Sequence, residues 1–114
     1  MKNPTLKEQE KHLDRKARSL GLVFKNSDRV SPSKYSMVHS RVTKITGVKC
    51  KPNEILVDPV NNRPLERRVM NKRHELVEIP LMRKYMAKGM SQEETYKKAH
   101  KIANRKQRTV GAVR

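Results

Sequence analysis

Two carboxylates and a histidine lie close together at residues 74–78, where the sequence is His-Glu-Leu-Val-Glu. If this stretch is helical, His74 and Glu78 are four residues apart and share one face of the helix. An imidazole and a carboxylate on one face can bind the same metal ion. Glu75 is then the candidate catalytic residue, a general base that would polarise a metal-bound water.

His100 is the candidate third ligand. The turn between the last two predicted helices is centred on residues 88–91, and Glu78 and His100 lie at similar distances before and after it. In an antiparallel helix pair these two side chains would be neighbours. Two histidines and one carboxylate could bind zinc or another divalent transition metal such as iron. The alternative, which is the more frequent outcome for such a cluster, is a buried hydrogen-bonded tie without any ion or cofactor.

The segment around His74 resembles the H-E-x-x-H helix of zinc hydrolases, with Glu78 in the place of the second histidine. The resemblance covers five residues. It implies a minimal metal-dependent hydrolase as the alternative function, with His74, Glu78 and His100 as ligands and Glu75 as the base. Pro80 follows two residues after Glu78, at a point where proline disturbs helical hydrogen bonding.

Positive charge dominates the composition of the whole chain. Lys and Arg number 28 against 11 Asp and Glu in 114 residues, which gives a formal net charge of +17. Such self-repulsion favours a polyanionic partner, of which nucleic acid is the commonest. The leading prediction is therefore a small protein, not an enzyme, that binds RNA or DNA by neutralising backbone phosphates. It would be a ribonucleoprotein component of ribosomal style or a DNA-binding accessory protein.

Two zones of the sequence carry this charge without any acid. The first zone lies between Asp28 and Glu54, and the second follows Glu94 through the last predicted helix and its tail. The candidate nucleic-acid-binding residues are Arg29, Lys34, Arg41, Lys44, Lys49 and Lys51 in the first zone and Lys97, Lys98, Lys101, Arg105, Lys106 and Arg108 in the second. On a helix, the spacing of Lys97, Lys101 and Arg105 would place them in a row along one face.

Cysteine content and hydropathy limit the cellular setting. Cys50 is the only cysteine, so no disulfide can form within the chain, and a half-buried thiol in a reducing, cytoplasmic compartment is expected. No run approaches the length and apolarity of a transmembrane helix. Attachment to an anionic membrane surface is the least favoured alternative, because no helix face carries Trp or Phe anchors.

Periodicity and capping signals predict one small α+β domain, mainly helical, over residues 1–108, with a mobile basic tail at 109–114. The capping box Thr5-x-x-Glu8 starts an N-terminal helix, and Gly21 follows its end. A short apolar run at residues 22–24 is predicted to be either a strand or a loop segment whose side chains pack into the core.

The second half of the chain is predicted to hold a strand and a helical hairpin. Residues 54–57 form the strand, which Asp58-Pro59 ends. A helix over 65–87 should be kinked or broken at Pro80. A second capping box starts the final helix, which is expected to end near Lys106.

The segment from Pro32 to Ile45 can be interpreted as helix or strand. Apolar residues recur in it at helical spacing, but its many Ser, Thr and Val residues weaken the helical prediction. We predict a helix, which would present Arg41 and Lys44 to a groove of nucleic acid. His39 in this segment, like His12 in the first helix, is expected to face solvent or phosphates.

Overall fold

The computed structural model describes residues 4–30 and 35–112 of the chain. It has the predicted α+β, mainly helical fold. The helices are α1 (Leu6–Ser19), α2 (Thr43–Thr46), α3 (Leu65–Ala87) and α4 (Gln92–Ala112). The strands are β1 (Val23–Asn26), β2 (Met37–His39) and β3 (Glu54–Val57), and a 3-10 turn, Ser40–Val42, joins β2 to α2.

Local signals define both ends of α1, as predicted. The Thr5 hydroxyl accepts a hydrogen bond from the Glu8 backbone amide at 3.1 Å, and the Glu8 side chain returns to Thr5, which completes the capping box. Gly21 follows the helix with a φ of +75°, a conformation that glycine adopts at little cost. Leu13 and Ala17 face the core from this helix.

The three strands form one mixed sheet with β3 in the centre. It pairs in parallel with β1 and antiparallel with β2. All four residues of β3 are buried, and the alternating side chains of its three apolar residues enter two different apolar clusters. Ile55 and Val57 pack with residues of α1 and α3, whereas Leu56 packs with Met82 and Ala99 of the helical hairpin.

The middle segment differs from its prediction. Instead of one long helix, residues 37–39 form β2, and only the 3-10 turn and the four-residue α2 follow. Residues 31–34, where the helix was predicted to start, lie outside the described residues. Pairing with the central strand explains the result, because β-branched residues such as Val38 gain buried cross-strand contacts there.

The C-terminal hairpin of α3 and α4 is the largest packed unit. α3 keeps its predicted bounds and continues through Pro80 as one helix, so of the two predicted alternatives the break is wrong and the kink stays a prediction. α4 begins at the predicted capping box, where the Ser91 hydroxyl accepts from the Glu94 amide at 3.2 Å. Its fully buried Ala99 and Ala103 let the two helices pack closely.

The end of α4 lies beyond its predicted position. Its backbone is helical to Ala112, so most of the predicted tail at 109–114 continues the helix. The mobility of that tail stays a prediction. Among the residues described, no helix combines the length and the apolar character needed to cross a membrane.

Candidate functional site

The hairpin brings together the three residues predicted to meet. His74 and Glu78 lie one turn apart on α3, and the His74 Nε2 is 3.0 Å from Glu78 Oε2. From α4, His100 Nδ1 reaches the same oxygen at 3.0 Å. The prediction that Glu78 and His100 would be neighbours is therefore confirmed.

A fourth residue, His39, joins this site from β2. Its Nε2 lies 2.9 Å from Glu78 Oε1 and 3.8 Å from Glu75 Oε2, and the residue is 1% exposed. The prediction that His39 faces solvent or phosphates is wrong, because it lies in a buried strand, opposite Ile55 of β3. His12, by contrast, is exposed on α1 as predicted. We refer to His39, His74, Glu75, Glu78 and His100 as the His–Glu cluster.

Burial and hydrogen bonding act in opposite directions on the two carboxylates. Burial would raise the pKa of Glu78, but hydrogen bonds from His100, His39 and His74 outweigh it and hold that pKa below its ordinary value. For Glu75, burial and then the nearby Glu78 carboxylate raise the pKa well above the ordinary value. Glu75 Oε2 has no hydrogen-bond partner among the described residues. Two carboxyl groups three residues apart thus have opposite protonation preferences.

A polar cavity of about 290 Å³ opens beside the cluster. It is lined by His74, Glu75, Glu78 and His100, together with Tyr35, Asn71, Tyr96 and Asn104 among others. The Tyr96 ring stacks on His100 with 4.8 Å between ring centroids, which helps to fix that imidazole. Chemically, the arrangement can either hold a divalent metal or remain a set of imidazoles hydrogen-bonded to one carboxylate.

A second cavity, of about 750 Å³, is a groove between α1, α3 and α4. Its apolar floor consists of Leu13, Leu76 and Val77, and Glu8 is the one acid among its lining residues. The cationic residues that line it are Lys11, Arg15, Lys16, Arg73 and Lys106. We call this feature the basic groove.

Among the described side chains of the second zone, one candidate nucleic-acid-binding residue lies in this groove. Lys106 lines it, and Lys97, Lys98, Lys101 and Arg105 are exposed along α4. The side chain of Arg108 lies outside the described residues. Lys11 and Arg15 are four residues apart on α1 and therefore share one helical face. Only the packing of α1 against α3 shows that they line the same groove as Lys106.

The first zone does not form the long helix that was predicted to present Arg41 and Lys44 to a groove of nucleic acid. Arg29 donates to the Lys49 carbonyl at 2.9 Å, and Lys49 and Lys51 are exposed on a loop. Arg41 is half-buried, and burial, followed by the charge of Arg83, lowers its pKa. Lys34 and the Lys44 side chain lie outside the described residues. Arg29, Lys49 and Lys51 thus remain candidates as residues outside any helix or strand.

About half of the acidic side chains are buried or half-buried. Glu54, Asp58, Glu75 and Glu78 are buried, and Glu10 binds Arg68 and Lys72, which holds its pKa at about 2. The acids that remain exposed are Glu8, Asp28, Glu66, Glu93 and Glu94. Against these five, eighteen Lys and Arg residues of the described chain are exposed. The surface is thus more basic than the composition alone indicates.

Comparisons with protein-family models, with curated proteins and with solved structures gave no match for this chain.

Proposed function

We propose that this protein binds nucleic acid through the phosphate backbone, with the basic groove as its principal contact surface. The observation that carries the proposal is the groove itself, in which five cationic residues from three helices surround one cavity with a single acid at its edge. A phosphate chain lying there would be contacted from several sides. Its condensed counterions would be released on binding, which favours association.

The character of the groove favours recognition of the backbone over recognition of bases. None of the chain's four aromatic residues lines it, so stacking on bases would contribute little. Exposed lysines can bind phosphates at many positions, because the ammonium group is a point charge on a flexible side chain and requires no fixed geometry. The exposed lysines of α4 would extend the contact beyond the groove. A ribonucleoprotein component and a DNA-binding accessory protein are both compatible with this mode.

The proposal is tested by comparing matched double variants in a binding titration. Fluorescence anisotropy of labelled RNA and DNA, single-stranded and duplex, would give the affinity of the full chain at fixed salt. Lys11→Ala with Lys16→Ala removes two exposed cations from the groove. Lys84→Ala with Lys88→Ala removes two exposed cations at the far end of α3 and is the control.

We expect the groove variant to bind at least tenfold more weakly and the control variant to change less than threefold. A third variant, Lys97→Ala with Lys101→Ala, measures the contribution of α4. Equal losses in all three variants would mean that net charge alone drives binding, and the groove would then have no special role. No binding of any nucleic acid by the unmodified chain would refute the function.

A further inference from the structure

We propose that His74, Glu78 and His100 bind one divalent transition-metal ion, and that His39 positions the Glu78 carboxylate for it. This inference does not rest on nucleic-acid binding. The cavity beside these ligands shares no lining residue with the basic groove, and the site can be tested without any polymer.

The three ligand atoms already lie close to the arrangement that an ion requires. His74 Nε2 and His100 Nδ1 are each 3.0 Å from Glu78 Oε2, and the ligand atoms of this trio lie within 4.8 Å of one another. Ligands around a tetrahedral zinc are about 3.3 Å apart, given metal–ligand bonds of about 2.0–2.1 Å. Small side-chain rotations would therefore open space for the ion.

The backbone that carries these ligands is fixed by the packing of α3 against α4. Two ligands lie one turn apart on α3, and the third projects from α4, whose Ala99 and Ala103 are fully buried in the hairpin interface. Tyr96 stacks on His100, and the His74 and His100 rings meet edge to face. A site on packed helices of this kind is preorganised, so little ordering is needed when the ion binds.

His39 occupies the position of a supporting residue behind the ligands. Its Nε2 lies 2.9 Å from Oε1, the Glu78 oxygen that does not face His74 and His100. Carboxylates that bind metals are usually hydrogen-bonded through outer groups, which fix their orientation. Because His39 is 1% exposed, its contact with Glu78 is protected from water.

Glu75 supplies an independent indication of a missing ligand. Its side chain is buried and lines the same cavity, and its Oε2 has no hydrogen-bond partner among the described residues, with His39 Nε2 3.8 Å away. Buried polar atoms without partners are uncommon and call for a bound water or ion. A cavity of about 290 Å³ has room for an ion and several waters, since each water occupies about 30 Å³.

The donor set indicates which ions fit. Imidazole nitrogens with one carboxylate suit zinc, iron or cobalt, whereas magnesium and calcium prefer oxygen ligands alone. Three protein ligands would leave a coordination position toward the cavity, and the His100 side chain, 40% exposed, marks the route from solvent. The hydrolase alternative requires this ion, so a failure to bind metal would also remove that hypothesis.

Metal binding is measured on the full chain after treatment with a chelator. Titration calorimetry with zinc chloride should show one ion per chain with a Kd of micromolar or tighter. His100→Gln should weaken binding at least 100-fold, and His39→Gln about 10- to 100-fold. His12→Gln is the matched control, because His12 is an exposed histidine outside the cluster, and it should bind zinc unchanged.

A second measurement does not depend on any variant. Added Co²⁺ should give the visible absorption of a four- or five-coordinate ion, and zinc should displace it in equal amount. The proposal is overturned if the unmodified, folded chain binds no stoichiometric zinc. It is also overturned if His100→Gln, with an unchanged circular dichroism spectrum, binds zinc as tightly as the unmodified chain. The cluster would then be a hydrogen-bonded tie only.

Discussion

Glu75 and Glu78 provide a sharp test of how the His–Glu cluster contributes to stability. Both are buried on α3, but Glu78 accepts hydrogen bonds from three imidazoles, whereas Glu75 Oε2 has no hydrogen-bond partner among the described residues. Replacing each with glutamine keeps the volume, but it removes a stabilised charge only at Glu78, because the raised pKa of Glu75 favours its neutral form. The two substitutions should therefore differ in cost although the residues share the same helix and are similarly buried.

The expected magnitudes follow from these contacts. Removing one partner from a buried charged network costs about 3–5 kcal/mol, so Glu78→Gln should lose that much of the free energy of unfolding. For a small domain, whose total is about 5–15 kcal/mol, this is a large fraction. Glu75→Gln breaks no ionic hydrogen bond and replaces a carboxyl group whose ionised form is disfavoured by burial and by Glu78. Its effect should stay within about 1 kcal/mol and can be stabilising.

Urea denaturation of the metal-free chain at neutral pH measures both effects. Glu66→Gln is the control, since Glu66 is exposed in the first turn of α3 and should cost less than about 1 kcal/mol. Equal losses for Glu75→Gln and Glu78→Gln would refute the reasoning. So would a loss below about 1 kcal/mol for Glu78→Gln, because the three imidazole contacts would then contribute little.

Two further predictions concern the packing of the helices. The hydrogen bond from Arg68 is the main reason why the pKa of Glu10 falls from 4.5 in the unfolded chain to about 2 in the folded chain. The ionised Glu10 therefore stabilises the fold fully above pH 4.5, and this contribution is lost as the pH falls toward 2. Urea midpoints at pH 5 and pH 3 should therefore differ less in Glu10→Gln than in the unmodified chain, and an unchanged difference would contradict this. Ala103→Leu, at a fully buried position, should cost about 1–3 kcal/mol and lower the Tm by several degrees, whereas Lys101→Leu on the exposed face should leave it nearly unchanged. Equal Tm values for these two variants would contradict the close packing of α3 and α4.

Much of the fold could be predicted because its signals are local. Capping residues at Thr5 and Ser91 mark helix starts, and a short apolar run, Ile-Leu-Val, marks β3. The meeting of Glu78 and His100 could be predicted by counting outward from the turn of the hairpin. That argument needs only helical rise and an antiparallel neighbour, both of which the sequence implies.

What could not be predicted depends on contacts distant in the chain. The segment around Val38 has helical spacing, and only the presence of β3 beside it makes a strand more favourable. His39 could not be assigned to the cluster without that strand. The basic groove likewise requires α1 to pack beside α3, a relation that no periodicity within α1 determines.

The central claim, phosphate neutralisation on a basic surface, is tested most directly by the salt dependence of binding. The logarithm of the affinity of the full chain for duplex nucleic acid, plotted against the logarithm of salt concentration, should fall with a slope of about −5 to −9. This slope corresponds to roughly six to ten phosphates at about 0.9 per contact. Lys11→Ala with Lys16→Ala should reduce it by about two. A slope near zero would contradict the account.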